Sequence, residues 1–201
     1  MTQSKRLFDL VVAISLSILL LPVIAATALA ILVLDGRPVL YISERMKTTT
    51  QGFRLVKFRT MKPVAEDSGV SGGDKAARTT RTGAFLRRSR LDELPQLWNV
   101  LKGDISFVGP RPPLRQYVER FPEVYGAVLL SRPGITGLAS VYFHAHEERL
   151  LARSRSTDET DAIYSRICVP RKARLDLIYQ RRRRLCLDMV IMLKTVFPRL
   201  R

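Results

Sequence analysis

Between Asp9 and Asp35 runs a stretch of 25 residues, Leu10 to Leu34, without a charged side chain. As a straight helix rising ~1.5 Å per residue it would reach about 38 Å, more than the roughly 30 Å hydrocarbon core of a bilayer. It reads as a membrane segment, and nothing later in the chain matches it: Leu185 to Phe197 is interrupted by Asp188 and Lys194 and is too short to span. Residues beyond about 36 are expected to face water or lie on the membrane surface. Three forms of the segment fit its residues. Lys5 and Arg6 ahead of an apolar stretch, with small-x-small sites in Ala26-Thr27-Ala28-Leu29-Ala30, fit a cleaved signal peptide, although Ile31-Leu32-Val33-Leu34 keeps the chain apolar past that point. An ordinary single span is the second form. The third is a re-entrant hairpin, because Pro22 at the middle of the run leaves the Ile18 carbonyl without its helical partner and bends the helix. Ser17 and Ser15, one to two turns earlier, stand where they can satisfy freed backbone groups. Both flanks are basic, with Lys5 and Arg6 before the run and Arg37, Arg45 and Lys47 after it. A spanning helix normally biases Lys and Arg to one side, whereas a hairpin leaves both flanks in the cytosol.

The rest of the chain is built to fold. With 46% hydrophobic residues it is not intrinsically disordered, and 201 residues bury a core as one domain or two small ones without disulfide staples. Cys168 and Cys186, outside any metal-ligand spacing, read as two ordinary thiols of a reducing compartment, with a single disulfide left open. Thirty-four Lys and Arg against 18 Asp and Glu give a net charge of +16, which calls for an anionic partner: nucleic acid, anionic lipid headgroups or phosphorylated substrates. Val39 to Ile42 and Phe53 to Phe58 read as the strands of a β-hairpin around Thr48-Thr49-Thr50-Gln51-Gly52. Pro63 to Thr82, polar and glycine-bearing, reads as a mobile loop. Its Gly72-Gly73-Asp74-Lys75 lacks the first glycine and the Ser/Thr of a phosphate-binding P-loop. No dinucleotide, nucleophile-elbow or zinc-protease motif occurs, and His144 and His146 alone do not make a histidine metal site.

The most informative stretch runs from Arg87 to Leu101. Leu94, Leu97, Trp98 and Leu101 follow helical spacing, and Pro95 is tolerated only in a first turn. A helix is therefore expected to begin near Asp92, with Asp92 as its N-cap or Ser89 capping one turn earlier. Acidic residues at that end are routinely caps. Three arginines just upstream, Arg87, Arg88 and Arg90, add a second meaning: they make a positive basin suited to phosphate, in which Asp92 and Glu93 can hold a divalent cation or attack phosphorus. Further on, three prolines stiffen the backbone around Arg111 in Gly109-Pro110-Arg111-Pro112-Pro113, and Arg132-Pro133-Gly134 repeats the device. Each is either a stiffened surface connection or a rigidly presented arginine for an anion.

Taken together these residues resemble the bacterial sugar transferases known as monotopic phosphoglycosyl transferases. The resemblance rests on Lys5-Arg6-Leu7-Phe8-Asp9 before a proline-centred apolar segment, Lys57-Phe58-Arg59-Thr60-Met61, the Arg88 to Gly109 stretch with its Leu-Asp-Glu-Leu-Pro-Gln, Pro110-Arg111-Pro112, Arg132 to Gly137, and a tail around Leu175-Asp176-Leu177-Ile178-Tyr179 and Leu187-Asp188. The chain departs from the family pattern at Leu21, in Ser43 to Lys47, and over His144 to Val169. The resemblance implies a helix-rich α+β fold, with residues 1–36 as a re-entrant membrane-anchoring hairpin, centred on Pro22 and Ser17, and 37–201 as a cytosolic, membrane-associated catalytic domain. It implies transfer of a sugar-1-phosphate from a UDP-sugar to polyprenyl (undecaprenyl) phosphate with release of UMP, the first membrane step of a glycan pathway, at the cytosolic face of the bacterial inner membrane. By the same resemblance Asp92 is the nucleophile of a covalent phospho-sugar intermediate, Glu93 stands beside it for Mg²⁺ or proton handling, and Arg88, Arg111, Lys57, Arg59 and Arg132 bind phosphate or nucleotide. The residues suit this chemistry, since a carboxylate is ionised at cytosolic pH and needs no general base.

Arg181-Arg182-Arg183-Arg184 precedes Leu185, Leu187, Val190, Ile191, Leu193, Val196 and Phe197, which suggests an interfacial or core-packing helix with either a solvated arginine face or contacts to anionic phospholipids. The rival from another class is a membrane-anchored nucleic-acid-binding or scaffold protein in which the carboxylates are only caps. No recognised nucleic-acid module is present in the sequence, so nucleic acid is not the expected partner.

Overall fold

The computed structural model describes residues 2–64 and 69–197. The apolar run divides at Leu20 into α1 (Gln3–Leu19) and α2 (Leu21–Leu34), which meet at 61°. Pro22 sits in the first turn of α2, where its missing N–H removes no helical bond, so it starts a helix instead of kinking one. The Ile18 carbonyl, expected to lack a partner or to turn to Ser17, accepts from the backbone N–H of Leu20. At 17 and 14 residues the two helices are about 25 and 21 Å long, and among the described residues no single helix is long and apolar enough to cross a membrane.

Beyond the pair the chain is helix-rich α+β. Strands β1 (Leu40–Met46) and β2 (Gly52–Phe58) form the expected antiparallel hairpin, in register from Leu40 opposite Phe58 to Met46 opposite Gly52. The stretch 63–82, expected as one loop, is not irregular throughout. Gly73–Arg78 is a 3₁₀ turn that buries Lys75, Met61 bridges Thr79, and α3 (Arg81–Ser89) begins inside it. Residues 65–68 of that loop lie outside the described residues. Then follow α4 (Gln96–Lys102), β3 (Ser106–Val108), α5 (Arg115–Arg120), α6 (Pro122–Val128), β4 (Gly134–Thr136), α7 (Leu138–Tyr142), α8 (His144–Leu151), α9 (Thr157–Ile163), a π-helical turn over Tyr164–Cys168, α10 (Val169–Arg182) and α11 (Leu185–Val196). Both cysteines are free thiols, Cys168 buried and Cys186 exposed.

Short β3 and β4 pair in parallel, Ser106 with Gly134 and Val108 with Thr136. Their ends approach so closely that a β-carbon on Gly109 would collide with the Arg132 carbonyl oxygen, and one on Gly137 with the Gly109 carbonyl oxygen. Only glycine permits this approach.

Three apolar clusters hold the elements. Met46, Tyr117, Tyr125 and Phe143 centre one beneath α5, α6 and α10. Ala13 of α1 joins Leu55, Val100, Ile105, Val108, Tyr179 and Ile191 in the second, so the first apolar helix shares a core with the rest of the chain. Ile31 of α2 meets Phe58 and Leu86 in the third. A polar tie reinforces the second: Lys5 of α1 forms an ion pair with the buried Asp188 of α11, and the Tyr179 hydroxyl reaches Asp188 Oδ1 (2.7 Å) and the Val108 carbonyl (3.2 Å). In the same region Arg6 donates to the carbonyls of Val100 (2.6 Å) and Leu101 (2.8 Å) at the end of α4.

Candidate active site

The corner between α3 and α4 presents the paired carboxylates. The helix expected to begin at Asp92 begins later, at Gln96, with Pro95 as its N-cap residue. Ser89, expected as a possible cap, instead closes α3, its hydroxyl donating back to the Phe85 carbonyl (2.9 Å). Arg90 then turns the chain with φ +57°, a left-handed conformation seldom taken by a residue with a side chain, and Leu91–Glu93 form a single 3₁₀ turn. Asp92 and Glu93 therefore ride on a tight corner and cap nothing.

Two rigid elements bring cations to that corner. Buried Asn99 of α4 clamps β2, accepting from the Val56 N–H (3.0 Å) and donating to the Arg54 carbonyl (2.7 Å), which sets the next residue, Lys57, against the corner. The loop after β3 is fixed by Gly109 N–H to the Thr136 carbonyl (2.9 Å), Gly134 N–H to the Pro110 carbonyl (2.8 Å) and Met46 N–H to the Pro113 carbonyl (2.9 Å). It holds Arg111 opposite Lys57. Lys57 Nζ and Arg111 Nη2 both donate to Glu93 Oε1, each at 2.9 Å, while Arg90 stands 3.9 Å from Glu93 Oε2. The Glu93 side chain is only 11% exposed.

The electrostatics separate the two acids. Burial alone would raise the Glu93 pKa, but the charges and hydrogen bonds of Arg111 and Lys57 outweigh it and hold this carboxyl well below the usual carboxylate range. Glu93 in turn keeps Arg111 firmly protonated. Asp92 goes the other way. Its pKa is raised, first by burial and then by the Glu93 charge, against the opposing pull of Lys57, Arg111 and Arg87. It has no hydrogen-bond partner among the described residues. Lys57's pKa is lowered by burial and by Arg111, against Glu93 and Asp92. The result is a permanently anionic Glu93 that organises two cations, beside an Asp92 whose oxygens are uncommitted.

The same facts bear on a divalent ion. No group of three metal-ligating side chains exists among the described residues. Mg²⁺ is commonly held by one or two carboxylates with substrate phosphates completing its shell. Asp92 fits that role, since a cation would relieve its raised pKa; Glu93, with Oε1 already shared by Lys57 and Arg111, fits it less well.

Of the other expected phosphate binders, Arg88 is exposed on the last turn of α3. Arg59 is buried elsewhere, its Nη2 donating to the carbonyls of Asp35 (2.7 Å) and Gly36 (2.8 Å), where it secures the exit of α2. Arg132 lies beside Arg6, Asp9 and Asp104, near the start of α1. Two residues of α8 that the sequence reading did not select are coupled to Arg111: Glu147 favours its charged form, and Arg111 disfavours protonation of His144, whose pKa burial lowers first. The clue was available in His144-Ala145-His146-Glu147-Glu148, where His144 and Glu147 are three residues apart and share a helix face.

The family model for bacterial sugar transferases matches residues 1–201. The chain belongs to the bacterial sugar transferase family. This sugar transferase is 35% identical over 196 residues to the UDP-N-acetylgalactosamine-undecaprenyl-phosphate N-acetylgalactosaminephosphotransferase of Aeromonas hydrophila, a match covering 96% of the chain and 42% of that relative. It is 41% identical over 142 residues to the UDP-glucose:undecaprenyl-phosphate glucose-1-phosphate transferase of Caulobacter vibrioides, covering 68% of the chain and 53% of the relative. Over 118 residues it is 44% identical to a putative undecaprenyl-phosphate N-acetylgalactosaminyl 1-phosphate transferase of Bacillus subtilis, covering 58% of the chain and 66% of the relative. The chain thus spans between about two fifths and two thirds of the length of these relatives.

Proposed function

We propose that this sugar transferase moves a sugar-1-phosphate from a UDP-sugar to polyprenyl phosphate. The observation that carries the reading is the uncommitted Asp92 carboxylate next to Glu93, Lys57 and Arg111; the names of its relatives supply the substrate class. In the first step an Asp92 oxygen attacks the phosphorus bearing the sugar. The bond to the bridging oxygen breaks, UMP leaves with that oxygen, and an aspartyl phospho-sugar remains. In the second, an oxygen of the polyprenyl phosphate attacks the same phosphorus, the Asp92–phosphorus bond breaks, and the product is a polyprenyl diphospho-sugar. Arg111 and Lys57 sit where negative charge gathers on the diphosphate, and Glu93 keeps both in place. A magnesium ion held by Asp92 and the diphosphate would supply further charge neutralisation.

The bent pair α1–α2 is read as a re-entrant hairpin at the cytosolic face of the bacterial inner membrane. In support, both flanks are basic, neither helix reaches across the hydrocarbon core, and Leu7, Ile18, Leu19, Val33 and Leu34 are exposed. A site at the leaflet surface meets a soluble donor and a lipid acceptor in turn.

Intact-mass measurement after incubation with a UDP-sugar alone tests the mechanism. The wild type should gain the mass of a phospho-sugar and release UMP, and Asp92→Asn should do neither while remaining folded. UMP released only when acceptor is present, with no adduct on any variant, would overturn the covalent step.

A further inference from the structure

The start of α1 and the α10–α11 junction enclose a cavity of about 90 Å³ lined by Lys5, Arg183, Arg184 and Asp188 with Thr2 and Leu185. A smaller depression next to it shares Lys5 and Arg183 and adds Arg132. None of Lys57, Asp92, Glu93 and Arg111 lines either.

The charge in this cleft is unbalanced. Among the described residues its one carboxylate, Asp188, is buried and already engaged by Lys5 and by the Tyr179 hydroxyl. Arg132, Arg183 and Arg184 form no ion pair or hydrogen bond among the described residues. Arg183 and Arg184 thus line the cavity without a counter-ion among the described residues, and Arg132, with Asp9 and Asp104 nearby, lines the adjoining depression together with Arg183. That is the arrangement that recognises a phosphate group, since the planar guanidinium pairs well with phosphate oxygens. What adjoins the cleft decides the source of the phosphate. Leu185 in its wall opens α11, whose Met189, Val190 and Leu193 are 45, 44 and 52% exposed, and α1 continues from Lys5 to Leu7 and Val11, 64 and 55% exposed. The cleft therefore sits at the polar ends of two apolar helices, where a headgroup meets its acyl chains.

We propose that this cleft is a binding site for the headgroup of an anionic phospholipid, gripped by Arg183 and Arg184 while its chains lie along the exposed faces of α1 and α11. The site rests on the membrane-surface reading given above and adds a structural lipid to it. A lipid held there bridges α1 and α11.

The test uses the full chain in a neutral detergent, titrated with phosphatidylglycerol or phosphatidylcholine, with the first bound lipid quantified by native mass spectrometry. Arg183→Gln/Arg184→Gln removes two cleft charges; Arg181→Gln/Arg182→Gln removes the same charge from the exposed end of α10, outside the cleft. The wild type should prefer phosphatidylglycerol, the cleft pair should lose about 30-fold in affinity for it, from ~1 kcal/mol for each arginine, and the control pair should lose less than about 5-fold. Equal losses in the two pairs, or no preference in the wild type, would overturn the site. Suppression of the preference by millimolar inorganic phosphate would reassign it to a soluble anion, and tighter binding of polyprenyl phosphate than of phosphatidylglycerol would reassign it to the acceptor. Flotation of the same preparation with phosphatidylcholine vesicles reports on the hairpin separately: a chain that does not float refutes the membrane-surface reading whatever the titration gives.

Discussion

Glu93 receives Lys57 and Arg111 on one oxygen, and this shared grip makes the two cations inequivalent to free surface charges. Arg111→Lys keeps the charge but loses the planar fork, and the stiff prolines around it leave no slack for a shorter reach. Charge-assisted hydrogen bonds contribute roughly 1.5–3 kcal/mol, so kcat/KM for UMP release should fall about 10- to 100-fold with unchanged membrane extraction. Lys57→Met makes a different prediction. Lys57 lowers the Asp92 pKa, so its removal should shift the acidic limb of the pH–rate profile upward, since rate is lost as pH falls through the Asp92 pKa. An unshifted limb would remove Asp92 as the titrating group. Away from the site, Asp176 is 6% exposed, its Oδ1 has no partner, and burial pushes its carboxyl up to about 7, with Glu147 adding and Lys172 opposing. A native pKa above the unfolded one means stability is lost as pH rises from about 4 to about 7, at up to ~1.4 kcal/mol per pH unit, and is flat beyond. Thermal melts of Asp176→Asn should show that loss abolished, the variant gaining on the wild type between about pH 4 and about pH 7. Residue type and spacing singled out Asp92, Glu93 and Arg111 as candidates, and the structure brings Arg111 onto Glu93. The destinations of Arg59 and Arg132 were not legible, because a basic residue's partner is set by tertiary contacts that no local pattern encodes.

At the scale of elements, two apolar runs and a proline were legible, whereas the 3₁₀ turn inside the stretch expected as a loop and a corner that depends on a single dihedral were not. Two short runs around a polar connector announced the β1–β2 hairpin, and Pro22 announced a break. The corner at 90–93 was misread as a helix start because Arg90 takes a left-handed turn that sequence usually marks with glycine or asparagine. The proline was also misplaced by the sequence reading: it begins α2 and does not strain α1. This sharpens a topology prediction. With Pro22→Ala the first turn of α2 regains an N–H, and the pair can join into one helix long enough to span. In a background without Cys168 and Cys186, cysteines near residues 3 and 40 should both resist an impermeant thiol reagent in intact cells and label after permeabilisation. In Pro22→Ala, part of the population should label at residue 3 from outside, held back by the basic flank. Outside labelling of residue 3 in the parent would establish a span.

Across the whole molecule, the first helix and the last are tied by Lys5 and Asp188, 183 positions apart. Asp188 is 1% exposed and Lys5's side chain 12%, so removing the carboxylate leaves a nearly buried ammonium uncompensated. Asp188→Ala should therefore cost about 3–5 kcal/mol in detergent, read as a fall in Tm, whereas Asp188→Asn, which still accepts from Tyr179, should cost less. Equal losses would show that the packing of α11, and not the ion pair, carries the tie. The resemblance foretold a helix-rich α+β fold, but not that the core would be shared between the apolar helices and the rest, since pairing across 183 positions leaves no periodic trace.

The contact of β3 with β4 sets how freely such a protein can be re-engineered. At Gly109, Gly134 and Gly137 two backbones touch where any side chain would intrude on a neighbouring carbonyl or amide. A saturation library at these three positions should return glycine almost alone, while one over the exposed positions of α8 and α9 should return a broad alphabet. Attempts to retune such a transferase toward another donor thus have a fixed datum to work from, a seam of three hydrogens against which every graft can be aligned.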